Sequence, residues 1–118
     1  AYAKISGDGK HNVYTEGTGL VKFASLGAAE YRVTLGYKVT VTNGKITGIS
    51  SISFDIPQVG PSSTWGNLRI SPYYRDKVCG VTANYDITKS LNISIGGGGF
   101  QFRTEKANDM FALITNLT

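Results

Sequence analysis

Tyr31-Arg32-Val33-Thr34-Leu35-Gly36-Tyr37-Lys38-Val39-Thr40-Val41-Thr42-Asn43-Gly44-Lys45-Ile46-Thr47-Gly48-Ile49-Ser50-Ser51-Ile52-Ser53-Phe54-Asp55-Ile56 is the stretch that decides the fold. From Tyr31 to Val41 every second residue is apolar, the period of a strand with one buried face. Asn43-Gly44 then supplies a pair that tolerates the positive φ of a two-residue type I′ turn. With those two as the loop, Thr42 opposes Lys45 and the same register continues outward. It sets Val41 against Ile46, Leu35 against Ile52, Val33 against Phe54 and Tyr31 against Ile56 on one face. On the other face it sets Thr40 against Thr47 and Arg32 against Asp55, a cross-strand ion pair. A slip of one residue would turn Ile46, Ile52, Phe54 and Ile56 to the wrong side, so the register is strongly specified.

Outward from this hairpin, turn signals recur. Short strands are predicted at Tyr2 to Ser6, Asn12 to Glu16 and Leu20 to Ala24. Pro57, Gly60, Pro61, Ser62 and Ser63 then predict a loop reaching Trp65-Gly66, since proline gives no donor to a ladder. Extended patterns resume at Asn67 to Tyr74, Val78 to Ile87, Leu91 to Ile95, Phe100 to Thr104 and Phe111 to Leu117. Polar turns are predicted at Arg75 to Lys77, Thr88 to Ser90 and Glu105 to Asp109. Helical spacing of Met110, Leu113, Ile114 and Leu117 competes with the alternation of Phe111, Leu113, Thr115 and Leu117, and strand is the preferred reading. Residues 1–118 thus read as a single all-β domain, an antiparallel sandwich or flattened barrel of about 8 strands with the 31–56 hairpin at its centre.

The composition suits this. The 118 residues are 41% hydrophobic, with 15 Gly, 3 Pro, 7 Tyr, 5 Phe and 1 Trp, a bias toward residues that pack on pleated surfaces. Twelve Lys and Arg against eight Asp and Glu give +4, but the bases are spread along the chain. A nucleic-acid partner would want them clustered, so none is expected. No run approaches the ~20 apolar residues of a spanning helix, so no membrane insertion is expected.

Cys79 is alone, which rules out an internal disulfide and disfavours a disulfide-stapled secreted domain. The opening Ala1-Tyr2-Ala3, with no Met and no charged-then-apolar leader, matches a processed mature product or a trimmed one. With the Ser, Thr, Gly and Asn richness, this predicts a secreted or cell-surface location, in a bacterium.

No set of residues nominates a catalytic centre. His11 is the one histidine and reads as a loop residue. Cys79 shares a strand face with Val81 and Ala83 and reads as a small buried hydrophobe. No cluster has metal-ligand spacing, the eight carboxylates form no recognisable pair, and Gly96 to Gly99 lacks the Lys-Ser or Lys-Thr of a phosphate loop. The expectation is a protein that is not an enzyme, with no metal and no cofactor.

Aromatic and polar residues gather between Pro61 and Lys77. Trp65, Asn67, Arg69, Tyr73, Tyr74 and Arg75 are the candidate binding residues, because rigid amphipathic rings beside hydrogen-bonding groups suit a sugar or a protein surface. Trp65 has two open placements, a surface contact or a plug in the core. The predicted function is a non-catalytic extracellular or cell-surface binding or adhesion module recognising a glycan or a protein. Two alternatives stand beside it. One is a small barrel holding an apolar molecule among Tyr37, Ile52, Phe54, Tyr85, Phe100 and Phe102. The other is a structural domain of a larger secreted protein.

Overall fold

Alternation in residues 31–56 becomes a long hairpin, and the strands around it prove equally long. The computed structural model describes residues Ala1–Thr118. It consists of β1 (Tyr2–Ile5), β2 (Gly9–Lys22), β3 (Ala28–Thr42), β4 (Lys45–Val59), β5 (Ser63–Arg75), β6 (Val78–Ile95) and β7 (Gly99–Leu117), with no helix. Strands hold 83% of the residues. They form a four-stranded sheet in the order β1-β7-β6-β5 and a three-stranded sheet in the order β2-β3-β4. Only the short β1 runs parallel to its neighbour, β7. The two sheets face each other and do not close, so the sandwich alternative holds and the barrel does not.

There are seven strands rather than about eight, because several predicted turns are strand. Thr88-Lys89-Ser90 lies inside β6, and Glu105 to Asp109 inside β7. The ladder continues past these polar residues: Lys106 and Asn108 are exposed, whereas Lys89, Glu105 and Asp109 turn inward and bond to Ala28, Ser25 and Tyr31. The result is a rod of 72 × 18 × 17 Å with a radius of gyration of 18.8 Å, against about 13–14 Å for a compact chain of this length.

The inner face of β3 is as read from the sequence. Tyr31, Val33, Leu35, Tyr37, Val39 and Val41 are all buried. Asn43 and Gly44 both have positive φ, 51° and 76°, and Thr42 opposes Lys45 as a two-residue turn requires. The register beyond Val41 and Ile46 differs from expectation. Val39 meets Ile49, Leu35 meets Phe54 and Tyr31 meets Val59, with irregularities between Thr40 and Val41, Gly36 and Lys38, and Arg32 and Thr34. Each inserts one residue into β4. Apolar residues of β4 are not strictly alternate, and the bulges let Ile46, Ile49, Phe54, Ile56 and Val59 all reach the core side. Pro57 is accommodated in the third bulge, on a sheet edge, where no ladder donor is missed. The Arg32–Asp55 pair does not form: Arg32 opposes Gln58, and Asp55 accepts from the Ile56 N–H at 2.8 Å.

Two apolar clusters fill the interior end to end. Leu35, Tyr37, Val39, Cys79, Val81 and Leu113 belong to one, and Tyr31, Val33, Ile56, Tyr85 and Ile87 to the other. Phe54 and Phe111 pack against both. Tyr37 donates its hydroxyl to the Leu113 carbonyl at 2.9 Å and meets the Thr115 hydroxyl at 2.6 Å. Tyr31 is bonded to Tyr85 and Asp109. These rings are buried without an orphaned polar atom.

Candidate functional site

Alternation divides the six nominated residues of β5 between two faces. Trp65 opposes Ile87, and Tyr74 opposes Cys79. Both partners are buried, so Trp65 and Tyr74 lie on the inner side of the sheet. Trp65 is a strand residue, not the loop residue expected, because β4 continues through Pro57 to Val59 and β5 begins at Ser63. Its ring is half-buried and meets Phe54 edge-on at a centroid distance of 5.6 Å. Asn67, Arg69, Tyr73 and Arg75 lie on the outer, solvent-facing side. Trp65 and Tyr74 are therefore on the face opposite to Tyr73, and the six residues do not form one site.

The outer side carries two adjoining arrangements. The first is polar and starts from a bulge between Gly66 and Arg69. Asn67 there adopts φ 55°, a conformation asparagine tolerates better than most residues. Its amide donates to Asp86 Oδ2 at 2.9 Å. Asn108 Nδ2 donates to Asp86 Oδ1 at 3.2 Å and to Asn84 Oδ1 at 2.6 Å, and Arg69 Nη2 donates to Asn84 Oδ1 at 2.8 Å. The Asn67 and Asn108 amides hold the Asp86 carboxyl below its ordinary pKa.

The second arrangement is aromatic. Tyr73 opposes Gly80, Gly80 opposes Ile114, and Ile114 opposes Tyr2. One row thus crosses all four strands, with Tyr2 78% and Tyr73 47% exposed. At about 4.8 Å per strand the two tyrosines stand roughly 14 Å apart. Gly80 makes the row flat. A Cβ there would lie 2.7 Å from Tyr73 Cε1 and 2.9 Å from its Cζ and hydroxyl, so the ring rests across the backbone only because glycine has no side chain. The next row is Arg75, Val78, Asn116 and Lys4, which lines the platform with two cations and an amide.

Groups that could do covalent chemistry lie elsewhere. His11 Nε2 meets the Gly7 carbonyl oxygen at 2.8 Å, on the other sheet. Cys79 is fully buried between the sheets, and burial pushes its thiol pKa up, the reverse of an activated thiolate. No three His, Cys, Asp or Glu side chains gather at a spacing that could hold a metal ion.

The apolar cavity does not form either. Tyr37 and Tyr85 are packed core residues, Ile52 and Phe54 are partly buried beside them, and Phe100 and Phe102 are 74% and 68% exposed. A concavity of about 800 Å³ is an open depression on the three-stranded sheet, lined among others by Thr18, Leu20, Glu30, Arg32 and Gln58.

Tyr2, Lys4, Val78, Gly80 and Ile114 were not among the sequence candidates. Nothing local marks them; only strand pairing joins Tyr2 to Tyr73. No family model, curated protein or solved structure matches this chain.

Proposed function

We propose that the chain is a non-catalytic binding or adhesion module, secreted or held at a cell surface, that receives a glycan on the outer face of its four-stranded sheet. The row Tyr2–Ile114–Gly80–Tyr73 carries this reading. Sugar rings present an apolar C–H face and a rim of hydroxyls. Two exposed phenol rings, that of Tyr73 lying across Gly80, suit the former, and Arg75, Lys4 and Asn116 alongside suit the latter. The rigid sheet holds these groups in place without a loop having to order on binding.

A glycan array followed by titration of the best binder tests this. Tyr73→Ala is expected to weaken binding at least tenfold, about 1.4 kcal/mol or more, with an almost unchanged melting temperature. Gly80→Ala should weaken it too, although every polar group of the site is kept, because its Cβ would displace the Tyr73 ring. Absence of glycan binding, or binding indifferent to Tyr73→Ala, rejects the reading; capture of a protein ligand through the same tyrosines would replace the glycan with a protein surface.

A further inference from the structure

Beyond Ser63 and Lys89, the last rung of β5, strands β6 and β7 continue as a bare two-stranded ribbon. Isolated ribbons of this kind are marginal in water. From Ser90 to Phe102 the ribbon has no charged residue. Leu91, Ile93 and Ile95 alternate onto one face and Phe100 and Phe102 onto the other, with Ile95 47%, Phe100 74% and Phe102 68% exposed. Natural sheets blunt such edges with bulges, prolines or inward charges. Here β6 and β7 pair without a register shift along their whole length, and inward charges appear only past Phe102, at Arg103, Glu105 and Asp109.

The open edge of β7 has a defined polarity. Ile114 N–H donates to the Ala1 carbonyl at 3.0 Å, the Ala112 carbonyl accepts from the N-terminal ammonium at 3.2 Å, and Leu117 N–H donates toward β6, to the Lys77 carbonyl at 2.8 Å. Even-numbered residues of β7 therefore turn their backbone groups away from β6. β1 covers this edge only at Ile114 to Leu117. The N–H and C=O groups of Phe100, Phe102, Thr104, Lys106 and Asn108 face outward beyond its reach.

We propose that this edge pairs with the same edge of a second copy, antiparallel, about a two-fold axis at Thr104. Charge complementarity points to the partner and the register, because Thr104 is the one axis on this edge that opposes unlike charges and no like ones. An axis at 103, 105 or 106 would oppose Arg103, Glu105 or Lys106 to itself, and an axis at 107 would oppose Glu105 to Asp109. An axis at Thr104 opposes Arg103 to the partner's Glu105 and Glu105 to the partner's Arg103; within its own chain Arg103 uses Nη1 on Ser25 and Glu105 uses only Oε1 on Ser25 and Leu26. It brings each Phe102 beside the partner's Lys106, and pairs the outward-facing even residues with one another. The two four-stranded sheets then become one continuous eight-stranded sheet, an isologous contact of the kind two-fold dimers use.

Sedimentation equilibrium of the 118-residue chain should find a dimer at tens of micromolar. Phe102→Lys, at an exposed position, should weaken association roughly tenfold by opposing the partner's Lys106. Thr104→Pro removes only an outward N–H and should give a folded monomer. Thr104→Cys should form an intermolecular disulfide in oxidising buffer, whereas Ser90→Cys, on the neighbouring strand, should not; Cys79 is buried and does not compete. A wild-type monomer, a dimer indifferent to Phe102→Lys and Thr104→Pro, or a monomer that instead docks its hairpin onto phospholipid vesicles overturns the proposal.

Discussion

β6 and β7 pass through two environments with one sequence pattern. Within the sandwich, Val81, Ala83, Tyr85 and Ile87 are each 0% exposed. A few residues on, Leu91, Ile93 and Ile95 continue the same alternation, and Ile95 is 47% exposed. The ladder is unbroken between them, so backbone pairing does not distinguish the two regions. What changes is the neighbourhood: β5 begins at Ser63, opposite Lys89, and the β2–β3 connection reaches only to Glu105 and Arg103, where Ser25 bonds to both. Alternation reports a strand with two unlike faces; only other strands decide whether a face is buried.

Substitutions can break this comparison. Tyr85→Ala removes a fully buried ring stacked on Phe54 at 5.3 Å and should cost ~3–5 kcal/mol in chemical denaturation. Trp65→Ala, a half-buried ring at the margin of the same cluster, should cost less, about 2 kcal/mol. A loss equal to that of Tyr85→Ala would make Trp65 a full core residue. Gly19→Ala tests the tightness of the sandwich from the opposite sheet. Its Cβ would collide with the Tyr31 ring at Cζ, and displacing a bonded, buried ring should cost ~1–3 kcal/mol. Ile95→Ala on the ribbon should change stability by no more than ~0.5 kcal/mol; a larger loss in the isolated chain would show that the ribbon contributes to its core.

Acid sharpens the contrast at the junction of the two regions. Glu105 accepts from the Ser25 and Leu26 N–H groups at 2.9 and 2.8 Å, and the Ser25 N–H is the main cause that holds its pKa below the ordinary 4.5. A carboxyl lowered in the folded state contributes stability that is complete above 4.5 and is lost as pH falls through its folded value. Asp86, lowered by Asn67 and Asn108 from 3.8, acts in the same direction at lower pH. Melting temperature should therefore fall from neutral into the acid range, and Glu105→Gln should flatten the upper part of that decline. An unchanged profile would mean that the β2–β3 connection is not held by the carboxylate.

The comparison also explains what could be read from the sequence. The inner face of β3 was legible because each of its residues from Tyr31 to Val41 obeys one period and one turn fixes its end. Partners on β4 were not, because the inserted residues depend on local backbone states, such as Ser51 at φ 52°, that composition does not announce. Thr88 to Ser90 and Glu105 to Asp109 resemble turns, since polar runs whose partners lie on the other sheet look the same in sequence as polar runs that reverse. The candidate residues Tyr73 and Arg75 were found from local aromatic content. Tyr2 and Ile114 were not, being separated by almost the entire chain and joined only through β7.

The bulges of β4 have a mechanical meaning as well. Between Tyr31–Val59 and Thr42–Lys45, β4 uses 15 residues, Lys45 to Val59, where β3 uses those from Tyr31 to Thr42. Three extra residues amount to about 10 Å of contour. That surplus is taken up at three points, like slack gathered into pleats along one edge of a ribbon. Each bulge bends β4 locally and adds twist, and an irregular margin offers no straight template for a foreign strand. The surplus length thus acts as a built-in guard against chain-to-chain growth on that flank, leaving the unbulged margin of β7 free for a selected contact.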